Sequence, residues 1–383
     1  MSQKKPAWGN LIAAIATIAA ADLALGLTFP LLAILLETRG VDATMIGLNA
    51  AMGPLGILLA GPFIPGIARR VGPKRLAMAT ILICIVVLFG FKLFPSLPAW
   101  FVLRFIFGVS VGTLFTLSEA WIVHFAEGPK RGLIMGIYTM VLSLAFALGP
   151  VMLPFVDIEG WTPWLIGSAG LLAALLPLFF IQVETFDETK SASTFAFVRR
   201  APLLLFAVAT CTMFDAVMLA FFPIYGLRNG LSLADASFIL AVAIAGNAAL
   251  QIPVGMLCDR FSPLKVMAGA AIGTVLLSAS LPLVINTWVI WPVAFFFGTS
   301  AYSIYTAALA ILGLNVRGNA LIAASAAFGA MWGVGGMVGP SAAGAMVDAM
   351  GPNAVPLFFA STYLVLVIGL FVSRGRLVAP ERA

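Results

Sequence analysis

Apolar residues run along this chain in long unbroken blocks, without the alternation of elements that turn one face to water. Breaks of Gly, Pro and charge divide the blocks into twelve spans: 10–36, 43–68, 75–94, 98–126, 129–156, 161–182, 200–228, 232–258, 263–285, 288–315, 319–347 and 353–373. Each reaches or exceeds the ~20 residues that a helix needs to cross a hydrocarbon core. In lipid a helix closes its own backbone hydrogen bonds, whereas a spanning barrel would show short alternating segments. The pattern therefore predicts an all-α membrane protein with twelve transmembrane helices. Lys4 and Lys5 before the first run, and Ala19-Ala20-Ala21 within it, have the look of a cleaved leader. Apolar character continues to Leu36, so the segment is read as an uncleaved first span.

Composition agrees with lipid as the solvent. Of 383 residues, 62% are hydrophobic and 9% charged, against roughly 25% charged in a soluble domain. The longest polar stretch, 183–200, holds Glu184, Asp187, Glu188, Lys190, Arg199 and Arg200. It separates a six-helix bundle, 1–182, from a second, 200–383, with 183–199 as a cytoplasmic linker. With the N-terminus in the cytoplasm, seventeen of the 21 Lys and Arg fall in cytoplasmic segments, among them Arg75, Lys130, Lys265, Arg317, Arg374, Arg376 and Arg382. Three, Arg39, Lys92 and Arg228, fall in the opposite loops, and Arg104 lies inside a span. This asymmetry predicts a multi-pass protein of the inner, cytoplasmic membrane with both termini cytoplasmic. The net charge of +6 is spread over short loops with no basic and aromatic stripe, so no nucleic-acid partner is expected. Cys84, Cys211 and Cys258 have neither CxxC spacing nor a His partner and read as buried packing residues. No metal site and no cofactor is expected.

The halves repeat at an offset of about 190 residues. Asp22 precedes Phe29-Pro30 as Asp215 precedes Phe222-Pro223. Arg70 and Pro73 correspond to Arg260 and Pro263, Gly108 to Gly298, and Gly149-Pro150 to Gly339-Pro340, with Asp157 and Asp348 following in near register. Parallel six-helix repeats are an architecture of secondary transporters.

On these features the chain resembles the major facilitator superfamily over essentially its whole length. The family's loop between helices 2 and 3 resembles G-x-x-x-D-R-x-G-R-K. Gly255-Met-Leu-Cys-Asp259-Arg260 fits its first six positions, with Ser262 in place of the later Gly. The first-half copy, Pro65 to Gly72, keeps Arg70 and Gly72 but has Arg69 where the family has Asp. The resemblance implies a cytoplasmic gate, carried here by Asp259. Arg104-x-x-x-Gly108-x-x-x-Gly112 resembles the family's helix-4 pattern. Gly335-x-x-x-Gly339-Pro340 and Ala145-x-x-x-Gly149-Pro150 resemble the glycine-proline kink of antiporters. Ser118-Glu119-Ala120-Trp121, followed by Arg131-Gly132 and Tyr138, resembles a poorly characterised bacterial branch of the superfamily.

An ionisable group inside a span costs about 2.5–3.5 kcal/mol on insertion scales, so each asks for an explanation. Asp22 and Asp215 lie near the centres of spans 1 and 7, repeat mates that in this architecture face the central cavity. A carboxyl group in a low-dielectric cavity can exchange a proton near neutral pH and can hold a cation. The alternative is a helix–helix hydrogen bond. Glu119, in the cytoplasmic third of span 4, is either a relay carboxylate or a gate partner of Arg69, Arg70 or Arg131. Arg104 either pairs with Asp22 or snorkels to outer headgroups. Asn49, Asn247 and Gln251 either bind substrate or bond between helices. Tyr138, Tyr305 and Trp332 either shape a cavity wall or pack. The glycine pairs Gly108/Gly112, Gly132/Gly136, Gly269/Gly273 and Gly335/Gly339 predict close helix approach, and Pro30, Pro150, Pro223 and Pro340 predict kinks.

Gly108-Val-Ser110-Val-Gly112 matches G-x-S-x-G, but inside a helix, where no nucleophile elbow forms. His124 is fourteen residues away, about 21 Å by helical rise. An enzyme is therefore not expected, and neither a Walker loop nor a channel-type filter is visible. The expectation is a monomeric, proton-coupled secondary transporter. Three membrane carboxylates against one Arg favour efflux of a cationic or neutral lipophilic compound by proton antiport. The alternative is an uptake symporter for a sugar or similar metabolite.

Overall fold

The computed structural model describes residues 8–125, 131–180, 194–316 and 319–373. Lys4, Lys5, Lys130, Glu184, Asp187, Glu188, Lys190, Arg317, Arg374, Arg376 and Arg382 lie outside them, as do the side chains of His124 and Arg131 and the surroundings of Gly132 and Gly136.

All described elements are helical: α1 Trp8–Thr38, α2 Ala43–Ala60, α3 Ile64–Val71, α4 Pro73–Leu93, α5 Leu97–Phe125, α6 Arg131–Met152, α7 Thr162–Phe180, α8 Thr194–Arg200, α9 Pro202–Arg228, α10 Leu233–Arg260, α11 Pro263–Val284, α12 Ile290–Asn315, α13 Asn319–Met350 and α14 Ala354–Val372. Among the described residues ten helices are long and apolar enough to cross a membrane. The remaining expected spans, 129–156 and 319–347, correspond to α6 and α13. Many hydroxyls within the helices are absorbed by the backbone. Thr17, Thr28, Thr80, Thr113, Thr210, Thr274 and Ser303 each donate to the carbonyl four residues back, which spares a polar group from facing lipid.

The structure refines two expectations. The span 43–68 stands as one crossing segment, Ala43–Val71, but a 3-10 turn at Gly61–Phe63 interrupts its α-helix between α2 and α3. Pro62 and Pro65 withhold two backbone donors there, so the i→i−4 ladder cannot run through. The stretch 183–199 is not all linker, because α8 occupies its end and packs on α13. Phe197 is its buried anchor, an apolar residue inside a stretch otherwise read as polar.

The chain forms two compact units, Met1–Leu35 with Met52–Glu188, and Leu36–Ala51 with Thr189–Ala383. In the first, α4 packs on α5 and α7. Phe91 sits at their junction, stacked on Trp164 at 5.7 Å and edge-on to Trp100 and Phe107. In the second, α10 packs on α12, α9 on α13, and α11 on α12 and α14.

The repeat is visible in the packing. A Cβ on Gly108 would strike the carbonyl of Gly53, and one on Gly298 the carbonyl of Ala243. Likewise Gly56 lies against the carbonyl of Phe105, and Gly246 against that of Phe295. The α2/α5 and α10/α12 crossings are thus one arrangement built twice. Gly26 and Gly149 bring α1 and α6 into backbone contact. Gly335 and Gly339 do so for α13 against Thr212 and Met213 of α9. At Gly269 the expected close approach is not found, because its Cβ direction is open, while Gly273 meets Ser300.

The segment Leu36–Ala51 is held in the second unit by polar and backbone contacts. Arg228 donates from Nε and Nη2 to the two carboxylate oxygens of Glu37, at 2.6 and 2.9 Å. Asp348 accepts from the backbone of Ala43 and Thr44. Gly47 lies against the carbonyl of Pro340, and Gly344 against that of Ala43.

Candidate functional site

In the first unit Asp22 sits mid-way along α1 and is 4% exposed. Arg104, on the second turn of α5, is 1% exposed. Its guanidinium lies over the Phe29 ring at 4.5 Å and its Nη2 donates to the Phe29 carbonyl at 3.4 Å. Phe29 is seven residues beyond Asp22 on the same helix, about 10 Å by helical rise. The Arg104 side chain is thus enclosed by protein, and the reading in which it reaches outer headgroups does not hold.

Tyr138 of α6 is buried in the same unit, within electrostatic reach of Glu119 and Asp22. Its hydroxyl, the Ser118 hydroxyl and the Trp121 indole N–H are buried without a hydrogen-bond partner among the described residues. Buried donors left in this state are expensive and mark positions for water or ligand. Glu119 itself is exposed. The segment Ser118 to Trp121 therefore alternates between an accessible carboxylate and inward donors on one helix.

In the second unit Asp215, at the middle of α9, is half-buried and accepts a hydrogen bond from the Tyr302 hydroxyl of α12. The Tyr302 ring stands edge-on to Phe214 at 5.4 Å. Phe214 is 1% exposed and packs on Phe297, Phe359 and Tyr363. One turn along α12 is Tyr305, half-buried and edge-on to Trp332 of α13 at 6.0 Å. Trp332 is 39% exposed. The Cys211 thiol, one turn before Asp215, lies beside the Tyr305 backbone of α12. The geometry therefore brings Asp215, Tyr305 and Trp332 into one neighbourhood and adds Tyr302, which the sequence reading did not single out. Nothing in the sequence separates Tyr302 from the other aromatics of an apolar helix.

The remaining candidates are dispersed. Asn49 is fully buried, while Asn247 and Gln251 are half-buried on α10. Arg69 and Arg70 are exposed on α3, and Gly72 ends it with φ +91°. Asp259 and Arg260 are exposed on the last turn of α10, with Arg260 beside the Phe261 ring, and Gly255 has open space around it. Pro150 and Pro340 lie inside α6 and α13. A groove of ≈ 490 Å³ lies between α10, α11 and α12, lined by Leu257, Phe261, Lys265, Phe296, Ser300 and Ser303 among others. None of the candidate residues lines it. Ser110 is buried mid-way along the continuous helix α5, so the G-x-S-x-G match has no elbow.

Residues 14–315 and 204–382 match the sequence profile of the Major Facilitator Superfamily. The uncharacterized MFS-type transporter YfkF of Bacillus subtilis is 29% identical over 90% of this chain and 91% of its own length. The uncharacterized MFS-type transporter YcaD of Salmonella heidelberg is 23% identical over 94% of both. Among solved structures, the nucleoside transporter NupG superposes with a TM-score of 0.78 at 13% identity, covering 95% of this chain and 98% of that one.

Proposed function

This chain belongs to the Major Facilitator Superfamily, and we propose that it is a proton-coupled secondary transporter that exports a cationic or neutral lipophilic compound. In this reading two six-helix bundles, 1–182 and 200–383, joined by the stretch 183–199 whose end forms α8, work by alternating access in the inner membrane, with both termini cytoplasmic and the protein acting as a monomer. Asp259, with Gly255 and Arg260, carries the cytoplasmic gate motif of the second half, and Arg69, Arg70 and Gly72 are its counterpart in the first.

The observation that carries the reading is the pair of repeat-related aspartates inside α1 and α9. Asp22 is buried in a unit that also holds Glu119 and donors at Ser118, Trp121 and Tyr138 that have no partner among the described residues. Asp215 is half-buried beside accessible aromatic rings. A carboxylate that alternates between proton and cation links the two fluxes, because occupancy by one excludes the other. Aromatic surfaces beside it suit a lipophilic ligand.

The test uses purified protein in liposomes containing a pH dye, with an imposed pH gradient. Lipophilic cations, sugars and amphiphilic metabolites are added in turn, and the Asp22→Asn/Asp215→Asn double variant is the control. Proton movement that depends on a lipophilic cation, runs counter to it and is absent from the double variant is the expected result. Proton movement in the same direction as a sugar would establish uptake instead. A compound that binds and is transported without proton movement would remove both carboxylates from coupling.

A further inference from the structure

The two halves repeat in backbone but not in charge, and the difference falls on the groups around the paired aspartates. At the offset of 190 residues established by Gly108/Gly298 and Gly149/Gly339, Tyr302 corresponds to Gly112, and Tyr138 to Phe328. Arg104 corresponds to Ala294, and Glu119 to Leu309. The first unit therefore holds a buried guanidinium in the neighbourhood of its aspartate helix, and the second has a methyl group at the equivalent place. Arg104 offsets one of the first unit's two carboxylates, Asp22 and Glu119, whereas no cationic side chain stands at the position equivalent to Arg104 to compete with a ligand for Asp215.

Resting on the transporter reading above, we infer that Asp215 is the carboxylate that binds a lipophilic organic cation, and that Tyr302 is a positioning residue that holds it for that ligand. Tyr302 occupies one acceptor site of the carboxylate with a donor that carries no charge. An arginine there would have cancelled the negative charge; a phenol orients the group and leaves the charge for a ligand. The Tyr302 ring cannot swing away, because Phe214 packs against it and is itself locked by Phe297, Phe359 and Tyr363. Beyond the carboxylate, the edge-on pair Tyr305 and Trp332 remains accessible. Accessible ring faces near a fixed carboxylate are the recognition elements for a bulky cation with a delocalised or shielded charge. Each of these groups belongs to the second unit.

The experiment is calorimetric titration of the purified full-length protein in detergent with tetraphenylphosphonium and with its neutral analogue triphenylphosphine oxide. The unmodified protein is expected to bind the cation at least tenfold more tightly than the neutral compound. Tyr302→Phe keeps the ring and its packing and removes only the hydroxyl. It is expected to weaken the cation about tenfold, the weight of one charge-assisted hydrogen bond, and to leave the neutral analogue unchanged. Asp215→Asn is expected to abolish the preference for charge, and Asp22→Asn to preserve it. Equal loss of both ligands in Tyr302→Phe would make Tyr302 merely structural and overturn the inference. So would an equal effect of Asp22→Asn and Asp215→Asn, or failure of the unmodified protein to prefer the cation. Selective cation binding without proton movement in liposomes would sink the proton-coupled reading while this assignment stands.

Discussion

Asp348, on the last turn of α13, caps the start of α2 from 305 positions away in the chain: Ala43 and Thr44 donate their backbone N–H groups to its two carboxylate oxygens at 2.9 and 2.7 Å. The Thr44 hydroxyl adds a third bond at 2.6 Å. Asp42 takes the next donor, the N–H of Met45, at 2.8 Å. Three of the four donors that a helix start leaves over are thereby satisfied by carboxylates, where the helix dipole favours negative charge. Asp157, the repeat mate of Asp348, closes a local turn by accepting from the Glu159 N–H.

Removing this cap destabilises the docking of α2. Asp348→Ala is expected to cost about 0.5–2 kcal/mol, the usual weight of an N-cap. Burial pushes the Asp348 carboxyl up, but the bonds from Thr44 and Ala43 and the charge of Arg228 outweigh it and hold it below its ordinary value. A depressed carboxyl contributes stability that is complete above its unfolded value, about 3.9, and is lost as pH falls through the folded one. Thermal unfolding of protein and variant, compared from pH 7 downward, should show a Tm gap that closes below about pH 4. A gap that widens in acid would contradict the assignment.

The Glu37–Arg228 pair is bidentate but partly exposed, with side chains 18% and 30% accessible. A double-variant cycle with Glu37→Gln and Arg228→Gln should return a coupling of about 1 kcal/mol or less. The coupling should shrink as salt is raised. Zero coupling at low salt would show that the two groups are not paired in solution.

The two kinds of glycine should respond in opposite ways. Gly108→Val forces a side chain into the backbone of α2 and is expected to cost about 1–3 kcal/mol or prevent folding. Gly269→Ala faces open space and should be neutral or raise stability by about 0.5–1 kcal/mol. The comparison is read from the Tm of protein extracted in mild detergent, with expression level as a second readout for Gly108→Val.

Asp22→Asn is expected to insert normally and to lose substrate-dependent proton movement in liposomes. Full coupled transport by this variant would take Asp22 out of the mechanism.

Ser110→Ala should leave transport within twofold of the unmodified protein, about 0.4 kcal/mol by the rate relation, since Ser110 is buried inside a continuous helix. Loss of all activity would revive a nucleophilic role for it.

The transmembrane class, the helical spans and the repeat follow from the sequence alone, because lipid enforces them. A crossing helix needs a fixed apolar length, and its backbone forbids alternatives. The same logic made Asp22, Asp215, Glu119 and Arg104 stand out, since charge is rare where it is costly. Which neighbours these groups have was decided only by tertiary structure. Tyr302 and Tyr305 are three residues apart on one apolar helix, and the rotation of α12 against α9 selects Tyr302 as the donor to Asp215. Asp348 reads in sequence only as a charge after a span, and the chain's path through the ten helices between α2 and α13 sets it on the start of α2. The break at Gly61–Phe63 was hidden because hydropathy records apolar length and not whether the backbone ladder is continuous. Local rules see what each residue costs in lipid; partners across helices depend on rotation and crossing, which are set by side-chain packing between segments distant in sequence.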